Sequence, residues 1–162
     1  GPLIPWTGLV RIKGYTGKTD RFASIEEAES YLRQACAPFG ELTDGQWRHL
    51  AEHGVRKLEE GVYQLNYDPE IVRVLQRGRH LDIPLGARLM EGVDLWSTWD
   101  AVKAPTLVLR GAESDVLTAR VAAEMSRRGP RARLVEIPGV GHAPALMDAA
   151  QIEPIRAFLG EE

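Results

Sequence analysis

Residues 104–115 read Ala-Pro-Thr-Leu-Val-Leu-Arg-Gly-Ala-Glu-Ser-Asp, and residues 134–142 read Leu-Val-Glu-Ile-Pro-Gly-Val-Gly-His. In the first stretch, Thr106-Leu107-Val108-Leu109 is a short, continuous apolar run followed by Gly111. That form suits a strand buried on both faces of a parallel sheet. In the second, Leu134 to Ile137 reads as another strand, closed by Pro138-Gly139. Between them Thr118 can cap a helix in which Val121, Ala122 and Met125 form one stripe, ended by Gly129 and Pro130. Strand, helix and strand with short connections make one βαβ unit, whose crossover is right-handed in nearly all known cases. A last helix is expected on Ile152, Ile155 and Leu159. Pro154 should sit in or near its first turn, where a missing N–H costs least.

Upstream of Trp96 the texture changes, and residues 1–95 read mainly as helix. Ser24 and Glu27 have capping-box spacing ahead of Ile25, Ala28, Tyr31, Leu32 and Ala35, which predicts a helix over 24–36 ending before Pro38 and Gly40. Thr43 and Gln46 repeat the signature before Trp47, Leu50, Ala51, Val55 and Leu58, a second apolar stripe at helical spacing. Glu60-Gly61 reads as a turn, and Val62 to Tyr67 as a short strand. Asp68-Pro69 offers an N-cap and first-turn proline for a further helix over Ile71, Val72 and Leu75. Gly78, Pro84, Gly86 and Gly92 break up the stretch between that helix and Trp96.

The composition sets limits. The chain has 162 residues with 20 Lys+Arg against 23 Asp+Glu, 44% apolar residues and one cysteine. With both signs spread along the chain there is no basic face for a nucleic-acid backbone. No stretch of about 18 or more apolar residues is present to cross a membrane, and the N-terminus lacks a signal-peptide layout. Cys36 cannot form an internal disulfide, which suits a reducing compartment and makes the cytoplasm the expectation.

The chemistry concentrates at one sheet edge. In a parallel sheet the loops at the carboxyl ends of the strands share an edge, and open α/β folds place ligands and catalytic groups there. The loop after the first strand is Gly111-Ala112-Glu113-Ser114-Asp115, and the loop after the second is Gly139-Val140-Gly141-His142-Ala143-Pro144. Neighbouring strands lie about 4.8 Å apart, so Asp115 and His142 can meet. A carboxylate accepting the Nδ1 proton of an imidazole fixes its tautomer and stabilises the imidazolium. Each residue also has a plainer reading: Asp115 as a dipole-favoured residue ahead of a helix, His142 as a solvated loop residue. Their shared edge favours the pair.

Residues 104–115, the helix after them and residues 134–142 closely resemble the end of an α/β-hydrolase-fold enzyme. The resemblance is specific over residues 96–160. It implies an α/β fold in which 96–162 is the C-terminal βαβ part of the core and 1–95 is a mainly helical cap. It further implies Asp115 as catalytic acid, His142 as base, and Glu113 as the second choice for the acid. A serine would attack a carbonyl, typically of a small acyl or ester substrate, with no metal or organic cofactor. The family's order is Ser, then Asp or Glu, then His, with the serine in a Gly-x-Ser-x-Gly elbow. Here Ser24, Ser30, Ser97, Ser114 and Ser126 all lack flanking glycines at that spacing. The expectation is therefore a C-terminal half whose nucleophile lies outside the chain and which is inactive alone. The alternatives are a non-catalytic binding protein of the same fold, a split half needing a partner chain, and a C–C bond hydrolase or dehalogenase. Two parallel strands leave unpaired edges, through which association is expected.

His49-Leu50-Ala51-Glu52-His53 matches the His-x-x-Glu-His string of inverted zinc metalloproteases. On a helix advancing about 100° per residue, however, His49 and His53 point away from the apolar stripe with Arg56, the profile of a solvated face. No third ligand is evident, and no catalytic metal is expected. Trp6, Phe22, Tyr31, Phe39 and Trp47 either line an apolar pocket or form the core of a small helical subdomain. Arg73, Arg77, Arg79 and His80 either attract an anionic substrate or face water. Trp96 and Trp99 read as packing residues.

Overall fold

A computed structural model describes residues 1–8, 21–68 and 92–160. In chain order the strands are β1 (Leu3–Pro5), β2 (Arg21–Phe22), β3 (Val55–Lys57), β4 (Tyr63–Leu65), β5 (Gly92–Asp94), β6 (Leu107–Gly111) and β7 (Arg133–Ile137). The helices are α1 (Ile25–Ala35), α2 (Asp44–Gly54), α3 (Trp96–Asp100), α4 (Ala119–Met125) and α5 (Ala149–Leu159). The helix expected over Ile71, Val72 and Leu75, and the residues Arg73, Arg77, Arg79 and His80, lie outside the described residues.

Contacts divide the described residues into two compact units. One comprises residues 1–8, Pro38–Gly40 and 92–160 and contains the expected βαβ motif. Strands β6 and β7 pair in parallel, with Leu107 opposite Arg133, Arg110 opposite Glu136 and Gly111 opposite Ile137. Thr118 caps α4 by accepting the Val121 N–H. The predicted stripe of Val121, Ala122 and Met125 is buried with Val108, Leu117 and Ala132, and Leu3, Trp96, Trp99 and Leu134 pack around that cluster. The tryptophans are thus packing residues. Arg128 stacks over Trp96 at 4.5 Å, pairs with Asp100 and accepts the Trp99 indole N–H at its carbonyl.

Some expectations need correction in this unit. Strand β6 is not equally buried on both faces: Val108, Arg110 and Gly111 are buried, whereas Leu107 and Leu109 are half-buried. In α5, Pro154 lies inside the helix rather than at its start. The buried position of α5 is Gln151, while Ile152 and Leu159 are exposed. There the Gln151 Oε1 accepts the Leu146 N–H at 2.7 Å. Its own N–H donates to the capping carboxylate of Asp148. Strands β1 and β5 pair antiparallel, Ile4 opposite Val93, and belong to this unit although they lie within residues 1–95, the stretch that reads mainly as helix.

The other unit comprises residues 21–37 and 41–68. Ser24 caps α1 and Thr43 caps α2, the latter with a complete capping box through Gln46. A β2-β4-β3 antiparallel sheet accompanies the helices. Helix α2 ends at Gly54, short of the predicted Val55 and Leu58, because Val55 turns extended and pairs with Leu65 of β4. A branched residue with a ladder partner gains more from the sheet than from another helical turn. Phe22, Ala28 and Val55 are buried with Ile25, Tyr31, Tyr63 and Leu65 around them, and the Phe22 and Tyr31 rings lie 5.3 Å apart. These two aromatics accordingly belong to the core of the helical unit.

This packing can be tested at two points. A Cβ built on Gly111 would meet the Gly141 carbonyl oxygen at 1.8 Å and the Val140 oxygen at 2.4 Å. Gly111→Ala should therefore cost about 3 kcal/mol or more, since backbone cannot swing aside as a side chain can; urea denaturation reads this directly. In the helical unit Glu26 is held down to about 2, first by its hydrogen bond from Arg48. Its folded pKa lies below the ordinary value of 4.5. Its contribution is thus present above that value and lost as the pH falls through about 2. With Glu26 exposed and Arg48 only half-buried, the pair is screened by water and adds little to stability. Arg48→Met should raise the Glu26 pKa back towards the ordinary carboxylate range, as followed by carboxyl-carbon NMR titration.

Candidate active site

The loops after β6 and β7 are zipped together by backbone. The Ala112 N–H donates to the Ile137 carbonyl and the Glu113 N–H to the Val140 carbonyl, both at 2.9 Å. On the β7 side, the Gly141 N–H donates to Pro38 O at 2.7 Å. Glycine at 111 and 141 permits this approach, because any side chain at 111 would strike the facing carbonyls.

Arg110 fixes the outer part of the first loop. Its side chain is buried, 5% exposed, at the penultimate position of β6. Nε donates to Leu117 O at 2.8 Å and Nη2 to Ala112 O at 3.0 Å, so the guanidinium brackets residues 113–116. Nη1 pairs with Glu136 on β7. The planar fork of arginine matches several acceptors at once, which a lysine ammonium cannot reproduce.

Within that bracket, Ser114 is buried and its Oγ accepts the Leu117 N–H at 3.0 Å. The same oxygen lies 3.0 Å from Nδ1 of His142. Residues Glu113 and Asp115 are exposed on either side of Ser114, and His142 is exposed on the facing loop. Asp115 and His142 stand on the adjoining loops where the sequence pattern puts them, but that pattern does not single out Ser114 as a partner for the imidazole. The available signal is positional: a serine three residues before an amide that needs a cap. A hydroxyl at Nδ1 can orient the ring, whose other nitrogen, Nε2, is the one a base would use.

Among the described residues no group of three or more His, Cys, Asp or Glu is placed to hold a metal ion. His49 and His53 are both exposed on α2, consistent with their solvated-face reading. No helix among the described residues is long and apolar enough to cross a membrane.

Known proteins share this fold. The chain superposes on a Rickettsia typhi protein described as a hydrolase with a TM-score of 0.81 and 29% identity, covering 100% of this chain and 51% of that one. It matches an alpha/beta hydrolase from Novosphingobium aromaticivorans with a TM-score of 0.76 and 32% identity, over 98% of this chain and 53% of that one. In sequence it is 37% identical over 158 residues to a 3-hydroxybutyrate-oligomer hydrolase of Cupriavidus necator, covering 94% of this chain and 51% of that protein. The chain thus spans about half the length of the curated relative it matches. The model of the alpha/beta hydrolase family matches residues 8–153, and with the parallel β6–β7 layer and its two loops this places the chain in that family.

Proposed function

We propose that these residues are the acid- and base-bearing part of a carboxylic ester hydrolase. The observation that carries the reading is the position of Asp115 and His142 on adjoining loops at the carboxyl edge of the β6–β7 pair. In this reading a serine outside the 162 residues attacks the ester carbonyl. His142 takes the serine proton at Nε2 and returns it to the leaving alkoxide, and Asp115 stabilises the imidazolium. Water, activated by the same imidazole, then releases the acyl group and restores the serine. The steps need only proton transfer and acyl transfer, so no metal or organic cofactor enters them.

The relative named as a 3-hydroxybutyrate-oligomer hydrolase supports an ester between short hydroxyacyl units as the substrate class. The helical unit, residues 21–37 and 41–68 among those described, serves as the cap. Association takes place through the edge of the β6–β7 sheet, where the strands carrying the serine complete the layer. Backbone groups on such an edge are left without ladder partners unless another strand joins them.

The chain alone should hydrolyse p-nitrophenyl butyrate at the background rate. Ester turnover abolished by His142→Ala in the isolated chain would place a nucleophile within these residues and overturn the division. In the protein completed by the serine-bearing half, His142→Ala or Asp115→Asn should lower kcat by about 10⁴-fold with little change in KM. Glu113→Gln should leave kcat unchanged, and a large loss there would transfer the acid role to Glu113.

A further inference from the structure

The structure also contains a histidine pair that the hydrolytic reading does not use. His49 and His53 lie one turn apart on α2, both exposed, with ring centroids 4.1 Å apart and ring planes inclined by 34°. The Nδ1 atom of His53 is 2.9 Å from the backbone oxygen of His49. A carbonyl oxygen can only accept, so this Nδ1 carries the hydrogen. In the neutral ring this leaves the lone pair of His53 on Nε2. Metal-binding histidines commonly have this arrangement, with one ring N–H given to a carbonyl and the other nitrogen available to coordinate.

The surroundings favour a cation. Arg48, the neighbouring positive charge on the helix, is turned to Glu26 at 2.8 Å and Glu29 at 2.9 Å. Arg56, which the sequence pattern groups with the two histidines, lies on β3 and donates to Gln64. Glu52, also exposed, follows His49 by three residues and so lies near its side of the helix.

We propose that His49 and His53 form a two-imidazole surface chelate for a borderline divalent transition cation such as Zn²⁺, with water in the remaining positions. Imidazole nitrogen selects zinc, nickel and copper, whereas magnesium and calcium prefer oxygen ligands. Among the described residues no third protein ligand joins the pair, so the site binds a cation without forming a catalytic centre. The cation clips two successive turns of α2 and stabilises the fold by binding it more tightly than the unfolded chain. The proposal is independent of the hydrolytic reading.

The test is a Zn²⁺ titration of the full chain near neutral pH, following the imidazole ring-proton NMR signals and the heat of binding. The expected result is a saturable one-to-one shift of the His49 and His53 signals together, with no matching shift from Mg²⁺. Removing one of two ligands by His49→Ala or His53→Ala should weaken binding at least tenfold, and His142→Ala should leave it unchanged. Circular dichroism checks that each variant is folded, and His49→Gln offers a second, helix-compatible replacement. Zinc that shifts His142 or Cys36 signals instead, single variants that bind as tightly as the parent, or no zinc-dependent shift at all would overturn the proposal.

Discussion

The geometry of the hydrolase edge depends on one buried cation. Arg110 sits where an apolar strand would be expected to continue, on the same side of β6 as Val108, and is almost fully removed from water. A guanidinium in such a place is tolerated only when its charge is paired and its donors are used. It meets both conditions with groups that matter for the site: the Glu136 carboxylate on the paired strand and the Ala112 and Leu117 carbonyls at either side of the loop. Strand pairing and loop shape are therefore coupled. Replacing Arg110 by methionine would keep most of the volume but leave the two loop carbonyls without their donor, and the cost would fall on the loop that presents Ser114 and Asp115.

The features legible in the sequence are those whose signal is local. Thr118, Ser24 and Thr43 announce their helices because a cap is a contact across three residues, and all three side chains make it. The stripe of Val121, Ala122 and Met125 emerges from helical period alone. The features that escape such a reading depend on partners distant in sequence. Strands β1 and β5 contain three residues each, too few for an alternating pattern, and become strands only by pairing with one another. Val55 continues the apolar period of α2, yet β4 claims it. Gln151 is buried because Leu146 supplies an N–H to its amide oxygen, while the apolar Ile152 beside it faces outward. At the site, the two loops are legible from their glycines and their place after the strands. The Arg110 bracket is hidden inside what reads as the end of an apolar strand.

Ser114 bears directly on where a nucleophile can stand. It is the one serine of the described residues bonded to His142, and a serine beside a histidine invites a catalytic reading. Its position argues the other way. The contact is to Nδ1, and the oxygen is already engaged by the Leu117 N–H within a buried turn. An attacking serine needs an exposed oxygen with an approach to a carbonyl and oxyanion donors around it. Ser114 has instead the surroundings of a group that holds a ring in place. If Nδ1 donates to Ser114, Nε2 is left as an acceptor, the state that the proposed base requires. If the hydroxyl donates to Nδ1, the ring carries its proton on Nε2 and must exchange tautomers before it can accept one. Either way the hydroxyl occupies the orienting side of the imidazole, so a serine activated through Nε2, as proposed, would stand on the opposite side of His142 from Ser114.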